Sequence, residues 1–205
     1  MGGVVDTTNR TDRHDRDVVT AERRIRPAGR VIILDPTHAC LLAHVVSTDG
    51  TWLFTPGGGV HGDEDTLAAA RREVAEETSL QLDELVGPVL FRRAHFTFLG
   101  RDIEARETFW VARVPTRTTV VASRLDDYER DILGDWRWLT AGELRAARIP
   151  VYPHCLPDLL QVLATSPDDP DGLAGGLPWV EQETADGLHV AFDEGIPSWV
   201  DHRVG

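Results

Sequence analysis

The chain has 205 residues, with 34 acidic against 21 basic side chains and a net charge of −13. This length accommodates one domain with tails, and a surface this acidic disfavours non-specific binding to nucleic-acid backbones. No stretch of about 18 apolar residues is present that could cross a membrane, and the N-terminus lacks the apolar core of a signal peptide. All the basic residues are Arg, which indicates a high-GC bacterial source. Cys40 and Cys155 are too few for a disulfide framework, so we expect a cytoplasmic globular protein.

Charge and aromatic content divide the chain into three parts. Residues 1–24 carry alternating charges and few large apolar side chains, which predicts a flexible N-terminal arm. Residues 25–165 contain the periodic apolar segments of a folded domain. Residues 166–205 begin with an acidic linker and contain Trp179, Phe192 and Trp199. Large aromatics favour docking, so we expect this C-terminal arm to contact either the domain itself or the other subunit of a homodimer.

Short apolar, β-branched segments at the start of the domain predict strands. They cover residues 30–35, 41–46 and 52–54, and the turn at Asp49-Gly50 makes a hairpin of the last two. The segment 56–59 reads Pro-Gly-Gly-Gly, which is too rich in turn residues for a regular element. We therefore expect a loop there.

A helix is predicted over residues 65–78, because apolar side chains recur there at helical spacing. The later elements are strands over 89–99 and 104–114 joined near Gly100, a strand over 135–139, a helix from the capping box at Thr140 to about Ile149, and a helix over 157–164. Hairpins and crossovers together predict an α/β fold with a mixed β-sheet and helices on its faces.

Three acids on the predicted helix carry the chemical information. Glu73, Glu76 and Glu77 lie at i, i+3 and i+4, so their carboxylates share one helix face next to the apolar stripe. Like charges this close repel one another, which favours a compensating cation. Mg²⁺, or alternatively Mn²⁺, prefers oxygen ligands of this kind.

Glycines precede this helix. Gly57, Gly58 and Gly59 allow a backbone to approach a ligand closely, and a glycine-rich loop leading into a helix offers amides to an anion. A predicted metal site next to backbone amides that could bind an anion indicates phosphate chemistry. Acidic residues considered singly would more often belong to a solvent-exposed helix face. The joint pattern of glycine, Arg and acids at fixed spacing, however, has a chance frequency on the order of 10⁻⁶ at average composition.

The segment resembles the signature of the Nudix hydrolase family. The matching positions are Gly58, Glu64, Arg72, Glu73, Glu76 and Glu77, with aliphatic residues at Val74 and Leu80. The spacing agrees throughout, and one identity departs, because Ser79 stands where the signature has glycine. The left-handed conformation usual at that position costs a residue with a Cβ roughly 1 kcal/mol. Similar flanks extend the resemblance over residues 26–164.

The resemblance implies a Nudix-like α/β/α sandwich and a pyrophosphohydrolase. It implies that Glu73, Glu76 and Glu77 hold Mg²⁺ and that Arg72 aims Glu73, while Glu64 supports the loop. The family acts on nucleoside diphosphates linked to another group, so we expect release of a nucleoside monophosphate. ADP-ribose, a nucleoside triphosphate, a dinucleotide, a nucleotide sugar and coenzyme A all stay open as substrates. The resemblance also favours a homodimer, because dimers are usual in the family.

The general base is either Glu76 or an acid of the loop before residue 135. The loop candidates are Asp126, Asp127, Glu129 and Asp131, and we select Glu129 for a catalytic role beside Glu76 and Arg72. We expect Gly57, Gly58, Gly59, Arg93 and Arg106 to bind substrate. Strand alternation sends Arg92 and Arg93 to opposite faces, so at most one of them lines a given cleft.

Two alternatives remain at this point. A non-catalytic nucleotide-sensing module could use the same fold, although it would have no need for three repelling acids. An isopentenyl-diphosphate isomerase would need a cysteine placed to protonate an alkene. Neither Cys40 nor Cys155 lies in a recognisable context for that reaction.

Overall fold

The computed structural model describes residues 23–48, 50–98, 100–120, 133–165, 179–184 and 187–191. Within these ranges the chain forms three helices and one ten-stranded mixed sheet. The strands are β1 (Arg24–Leu34), β2 (Cys40–Ser47), β3 (Gly50–Phe54), β4 (Gly57–Gly59), β5 (Val86–Phe98), β6 (Arg101–Arg113), β7 (Leu133–Leu139), β8 (Val151–Tyr152), β9 (Trp179–Thr184) and β10 (Gly187–Ala191). The helices are α1 (Thr66–Thr78), α2 (Ala141–Ala146) and α3 (Leu156–Thr165).

The main path through the sheet runs β10-β9-β5-β6-β1-β2-β3-β8, with β4 paired to β1 and β7 paired to β2. The pairs β1/β6, β3/β8 and β5/β9 are parallel, and the other pairs are antiparallel. The predicted mixed sheet is thus confirmed. No helix in the described part of the chain is long and apolar enough to span a membrane.

Helices cover both faces of the sheet, so the fold is an α/β/α sandwich. On one face, α1 packs through Ala70 and Val74 against Val31 and Ile33 of β1. On the other face, α2 and α3 bury their leucines against the alternate residues of the same strands. This second core contains Ile32, Leu34, Phe109, Val111, Leu144, Leu156, Leu159, Leu160 and Leu163. The two cores share β1 because successive side chains of a strand point to opposite faces.

The helix boundaries follow local sequence signals. Asp65 caps α1 by accepting a hydrogen bond from the amide of Ala68, and the capping box of Thr140 with Glu143 opens α2. Helix α2 ends at Ala146 rather than near Ile149, because Ala147 already has extended backbone angles. The chain then continues into β8, which pairs with β3.

The expectation of a loop at 56–59 was wrong. Gly57–Gly59 form β4, which pairs antiparallel with Ala28–Arg30 of β1. Gly57 has a φ of +128°, and a Cβ there would lie 2.3 Å from the carbonyl oxygen of Gly29. Glycine therefore permits a strand approach that a larger residue would prevent.

Two strands lie beyond residue 165, in the predicted C-terminal arm. β9 pairs in parallel with β5, and Leu90 lies opposite Trp179. The Trp179 side chain is buried in the α3-side core, while Phe192 and Trp199 lie outside the described residues. At the other end, β1 begins at Arg24, and the predicted N-terminal arm falls almost wholly outside the described ranges.

Candidate active site

Helix α1 carries the signature acids on the side that faces β4. Glu77 is buried, whereas the side chains of Glu73 and Glu76 are 14% and 34% exposed. The helix ends at Thr78, and Ser79 caps it in the left-handed conformation, with φ of 60° and its amide bonded to the carbonyl of Ala75. Ser79 thus adopts the backbone conformation that the signature glycine favours.

Arg72 donates hydrogen bonds to three of the signature carboxylates. We call the group of Arg72, Glu64, Glu73 and Glu76 the helix cluster. Its Nη1 donates to Glu73 Oε1 at 2.9 Å and to Glu76 Oε2 at 3.2 Å. Its Nη2 donates to Glu64 Oε1 at 2.6 Å and its Nε donates to Glu64 Oε2 at 3.2 Å. The hydrogen bonds that Arg72 donates to Glu64 raise the pKa of Arg72 against the opposing effect of burial, and the hydrogen bond to Glu73 raises it further. One guanidinium therefore compensates part of the charge repulsion between the acids.

Glu64 ties the loop before α1 to the helix. Its Oε1 accepts a hydrogen bond from the His61 amide at 2.7 Å, and its own amide donates to the His61 carbonyl at 3.2 Å. The hydrogen bond from Arg72 lowers the pKa of Glu64 against the opposing effect of burial. Glu64 is thus an ionised bridge between the loop and the helix cluster.

The three glycines of β4 lie against charged side chains of α1: Gly57 against Glu77, Gly58 against Glu73 and Gly59 against Arg72. The Gly57 amide donates to Glu77 Oε2 at 2.9 Å, and the Gly59 carbonyl accepts from Arg72 Nη2 at 2.9 Å. A Cβ on Gly58 would lie 2.4 Å from the carboxyl carbon of Glu73. A larger residue at position 58 would therefore displace this carboxylate from the strand.

The donor chemistry of the α1 acids fits Mg²⁺, because all three offer carboxylate oxygens. Among the described residues, no three His, Cys, Asp or Glu side chains converge on a point that could hold a metal ion. Glu73 and Glu76 instead share the Nη1 of Arg72. Metal binding by Glu73, Glu76 and Glu77 would thus require their carboxylate oxygens to converge on a common point.

Arg93 and Arg106 lie opposite each other on β5 and β6. Both donate to Glu104, at 3.2 Å and 2.7 Å, and His95 lies 3.1 Å from the same carboxylate. We call these four residues the hairpin cluster. Burial raises the pKa of Glu104, but the hydrogen bonds of His95 and Arg106 and the charge of Arg93 outweigh it, so that the pKa is about 2.

The hairpin cluster lies on the α1 face of the sheet. Thr108 pairs with Gly29, which packs directly under Thr66 of α1, and Arg106 is two residues along β6 on the same face. The hydrogen bonds that the structure describes for Arg93 and Arg106 go to Glu104 rather than to the signature acids. Glu129 and the other loop acids at 126, 127 and 131 lie outside the described residues.

Sequence reasoning missed a second group of charges on the α3 face, which we call the buried network: Arg30, Arg92, Glu107 and Glu181. Arg92 Nη1 donates to Glu107 Oε2 at 2.7 Å and its Nε donates to Glu181 Oε1 at 2.8 Å. Arg30 Nε donates to Glu107 Oε1 at 2.8 Å. Arg92 and Arg93 do point to opposite faces, as alternation predicted.

Charge balance fixes the ionisation of the buried network. Burial raises the pKa of Glu107, but the charges and hydrogen bonds of Arg30 and Arg92 outweigh it and leave the pKa at about 2. A signal was present in the sequence, because Glu107 occupies an inward position between Ala105 and Phe109 on β6. A charged residue at such a position needs a buried partner.

A family model described as NUDIX domain matches residues 24–159. A search of curated proteins gave no match. Among solved structures, the MutT protein from Bacillus halodurans is 20% identical with a TM-score of 0.52, over 82% of this chain and 97% of that one. An Ap4A hydrolase from C. elegans in a binary complex is 17% identical with a TM-score of 0.50, over 70% of this chain and 98% of that one.

At these identities, the structural likeness shows the fold, which agrees with the predicted α/β/α sandwich. The family match covers more than half of the chain and includes β4, α1 and the entire signature. The predicted resemblance is therefore confirmed. The chain belongs to the NUDIX domain family and is a Nudix-type pyrophosphohydrolase.

Proposed function

We propose that the protein hydrolyses the pyrophosphate bond of a nucleoside diphosphate linked to another moiety, and that the reaction depends on Mg²⁺. The observation that carries this proposal is the helix cluster, in which one Arg holds three carboxylates against the glycine strand. The group has more acids than bases, so it favours a further cation. A cation beside backbone amides suits a substrate with adjacent phosphates.

In this proposal, Glu73, Glu76 and Glu77 hold Mg²⁺, with Mn²⁺ as a substitute. The ion, when bound, neutralises pyrophosphate charge and lowers the pKa of a water molecule. Arg72 keeps Glu73 and Glu76 close together, and Glu64 fixes Arg72 from the loop side. Gly57 fixes the buried Glu77 through its amide.

Glu76 is assigned the role of general base, because it is the most exposed of the three helix acids. It accepts the proton of the attacking water, the new P–O bond forms, and the bridging P–O bond breaks on the opposite side of phosphorus. The proton then passes to the departing phosphate oxygen. One water is consumed, and the products are a nucleoside monophosphate and a phosphorylated remainder. Glu129 is the alternative base in the preceding loop.

Arg93 and Arg106 are assigned to substrate contact together with the β4 glycines. Their side chains are 26% and 29% exposed, and both come from the β5–β6 hairpin on the α1 face. Guanidinium groups suit phosphate oxygens because they donate paired hydrogen bonds. The name of one structural neighbour, an Ap4A hydrolase, supports including dinucleotides among the candidate substrates.

The burial of both cysteines argues against the isomerase alternative. Cys40 and Cys155 are each buried, and burial raises the pKa of both thiols, followed for Cys155 by the charge of Glu181. A thiol in that environment cannot reach an alkene substrate at a cleft.

The test is product identification by LC-MS in H₂¹⁸O. Purified full-length protein is incubated with and without Mg²⁺ and with a panel of ADP-ribose, nucleoside triphosphates, dinucleotides, nucleotide sugars and coenzyme A. The Glu76→Gln/Glu77→Gln double variant serves as the blank. Glu84→Gln, an exposed site outside α1, is the matched control for loss of a carboxylate.

We expect wild type and Glu84→Gln to release a nucleoside monophosphate only with Mg²⁺, with one ¹⁸O per bond cleaved. The double variant should release none. Turnover by the double variant at the wild-type rate would contradict the assignment of the acids. Silence of wild type across the panel, together with a ligand-induced rise in Tm, would instead favour a nucleotide sensor.

A further inference from the structure

We infer that Glu181, on the C-terminal strand β9, is a positioning residue for the signature carboxylate Glu77. Glu181 acts through a chain of hydrogen-bonded charges that crosses the sheet. The family match ends at residue 159, so β9 lies outside it. The inference rests on the proposed role of Glu77 as a metal ligand, and the Glu77→Gln variant tests that role separately.

The chain of contacts begins at β9. Glu181 is completely buried, and its Oε2 accepts the Cys155 amide at 2.7 Å just before α3. Its Oε1 accepts Arg92 Nε at 2.8 Å. The guanidinium of Arg92 lies 5.3 Å from the centre of the Tyr152 ring. Glu181 therefore fixes Arg92 in position between β9, β5 and the residues that precede α3.

The next contacts lead to the glycine strand. Arg92 donates to Glu107 Oε2, and Glu107 Oε1 accepts from Arg30 at 2.8 Å. The Nη1 of Arg30 donates to the Gly57 carbonyl at 2.9 Å and to the Thr55 carbonyl at 3.1 Å. The Gly57 amide in turn donates to Glu77 Oε2 at 2.9 Å. Every step from Glu181 to the Gly57 carbonyl is thus a direct hydrogen bond, and the Gly57 backbone links that carbonyl to the amide that donates to Glu77.

Burial makes this chain stiff. Arg30, Arg92, Glu107 and Glu181 have side-chain exposures of 16%, 8%, 6% and 0%. Charges shielded from water interact more strongly, and a buried charge that loses its partner is costly. If Glu181 is replaced by a neutral residue, Glu107 becomes the remaining carboxylate partner of Arg92. Its interaction with Arg92 then strengthens, and its interaction with Arg30 weakens. The Gly57 carbonyl then loses part of its support, and with it the residue whose amide positions Glu77.

The experiment measures Mn²⁺ binding to the full-length protein by electron paramagnetic resonance, with kcat, KM and Tm measured on the same samples. Glu181→Gln is the principal variant. Gln182→Ala, the next residue of β9 and on its opposite face, is the matched control. Leu163→Ala removes a buried side chain from the α3-side core and controls for lower stability. Glu77→Gln tests the proposed metal ligand itself.

For Glu181→Gln we expect the Mn²⁺ Kd to rise about threefold to tenfold, somewhat less than the loss typical of a direct outer-shell partner. The value of kcat should fall with little change in KM. Gln182→Ala and Leu163→Ala should keep the wild-type Kd, although Leu163→Ala lowers Tm. Glu181→Asp, which keeps the charge, should restore part of the affinity.

A wild-type Kd in Glu181→Gln, while Glu77→Gln binds Mn²⁺ weakly, would overturn the inference and leave the proposed function intact. Equal Mn²⁺ binding by wild type and Glu77→Gln would overturn both. A raised Kd in Leu163→Ala would overturn the inference by showing that destabilisation alone is sufficient. If Glu181→Gln does not fold, the Arg92→Met/Glu181→Leu double variant, which replaces the ion pair by apolar groups, is measured with the same expectation.

Discussion

The helix cluster and the buried network are both built around arginines, but they differ in charge balance and exposure. The helix cluster sets one guanidinium against three carboxylates, and its side chains are 14% to 34% exposed. The buried network sets two guanidinium groups against two carboxylates that water barely reaches. The first group has unbalanced negative charge and access to solvent, which is why we propose it as the cation site. The second is neutral and closed, so it serves to fix the backbone.

The largest effect is expected from breaking the buried network. Glu107→Gln removes the carboxylate shared by Arg30 and Arg92 and leaves two buried cations without their partner. We expect the free energy of unfolding to fall by about 3–5 kcal/mol, as for other broken buried ion pairs. Urea unfolding followed by tryptophan fluorescence measures it. A loss no larger than that of the exposed control Glu84→Gln would contradict the account.

The helix cluster should respond to substitution with a loss of activity rather than of stability. Arg72→Lys keeps the charge but cannot donate to three carboxylates and the Gly59 carbonyl at once. We expect kcat to fall about 10–100-fold, with about 1 kcal/mol or less lost in stability because the pairs are partly exposed. Steady-state kinetics and thermal unfolding check both.

Arg71→Lys provides the matched control for that variant. Arg71 is the neighbouring exposed arginine and donates to the Leu82 carbonyl, away from the acids. Its kcat should equal that of wild type. An Arg72→Lys enzyme with wild-type kcat would show that the fork geometry of Arg72 is irrelevant to turnover.

Low pH should destabilise the folded protein, because carboxylates whose pKa is lowered by folding then become protonated. The pKa of Glu104 is about 2 in the folded protein against an ordinary value of 4.5. Between these values the unfolded chain binds more protons than the folded one, so stability rises with pH in this window and is lost as pH falls. Urea unfolding at several pH values measures this effect. Between pH 5 and pH 2, the range set by the lowered pKa, the free energy of unfolding should decline less in Glu104→Gln than in wild type. Parallel declines would contradict the assignment.

The smallest effect concerns the end of α1. Ser79 has a φ of 60°, where a Cβ is unfavourable. Ser79→Gly should stabilise the protein by at most about 1 kcal/mol, since glycine removes the strain but gains entropy in the unfolded chain. The change in Tm measures the stability effect. Lower stability in the glycine variant would show that the serine makes a compensating contact.

The elements that sequence predicted well are those specified by local patterns. The stripe of α1, the capping box at Thr140 and the face shared by Glu73, Glu76 and Glu77 all depend on residues within a few positions of one another. Helical and capping interactions act over that range. The signature acids could therefore be located before the fold was known.

The elements that were missed depend on partners distant in sequence. β4 forms because β1 lies beside it, and Arg92 and Glu181 are 89 residues apart. Pairing of this kind is not encoded in local periodicity. The charged residue at the inward position of Glu107 was the one visible sign of the buried network, and alternation along β6 could have revealed it.

Catalysis by the helix cluster is tested most directly by comparing wild type with Glu76→Gln. The measurement is the rate at which each releases nucleoside monophosphate with Mg²⁺ from the best substrate found. Glu76 is partly exposed, so its loss should leave Tm near the wild-type value. We predict a fall in kcat of about 100-fold or more, the range typical for removal of a general base, with Glu84→Gln unchanged. A folded Glu76→Gln enzyme that turns over as fast as wild type would contradict the assignment of catalysis to the helix cluster.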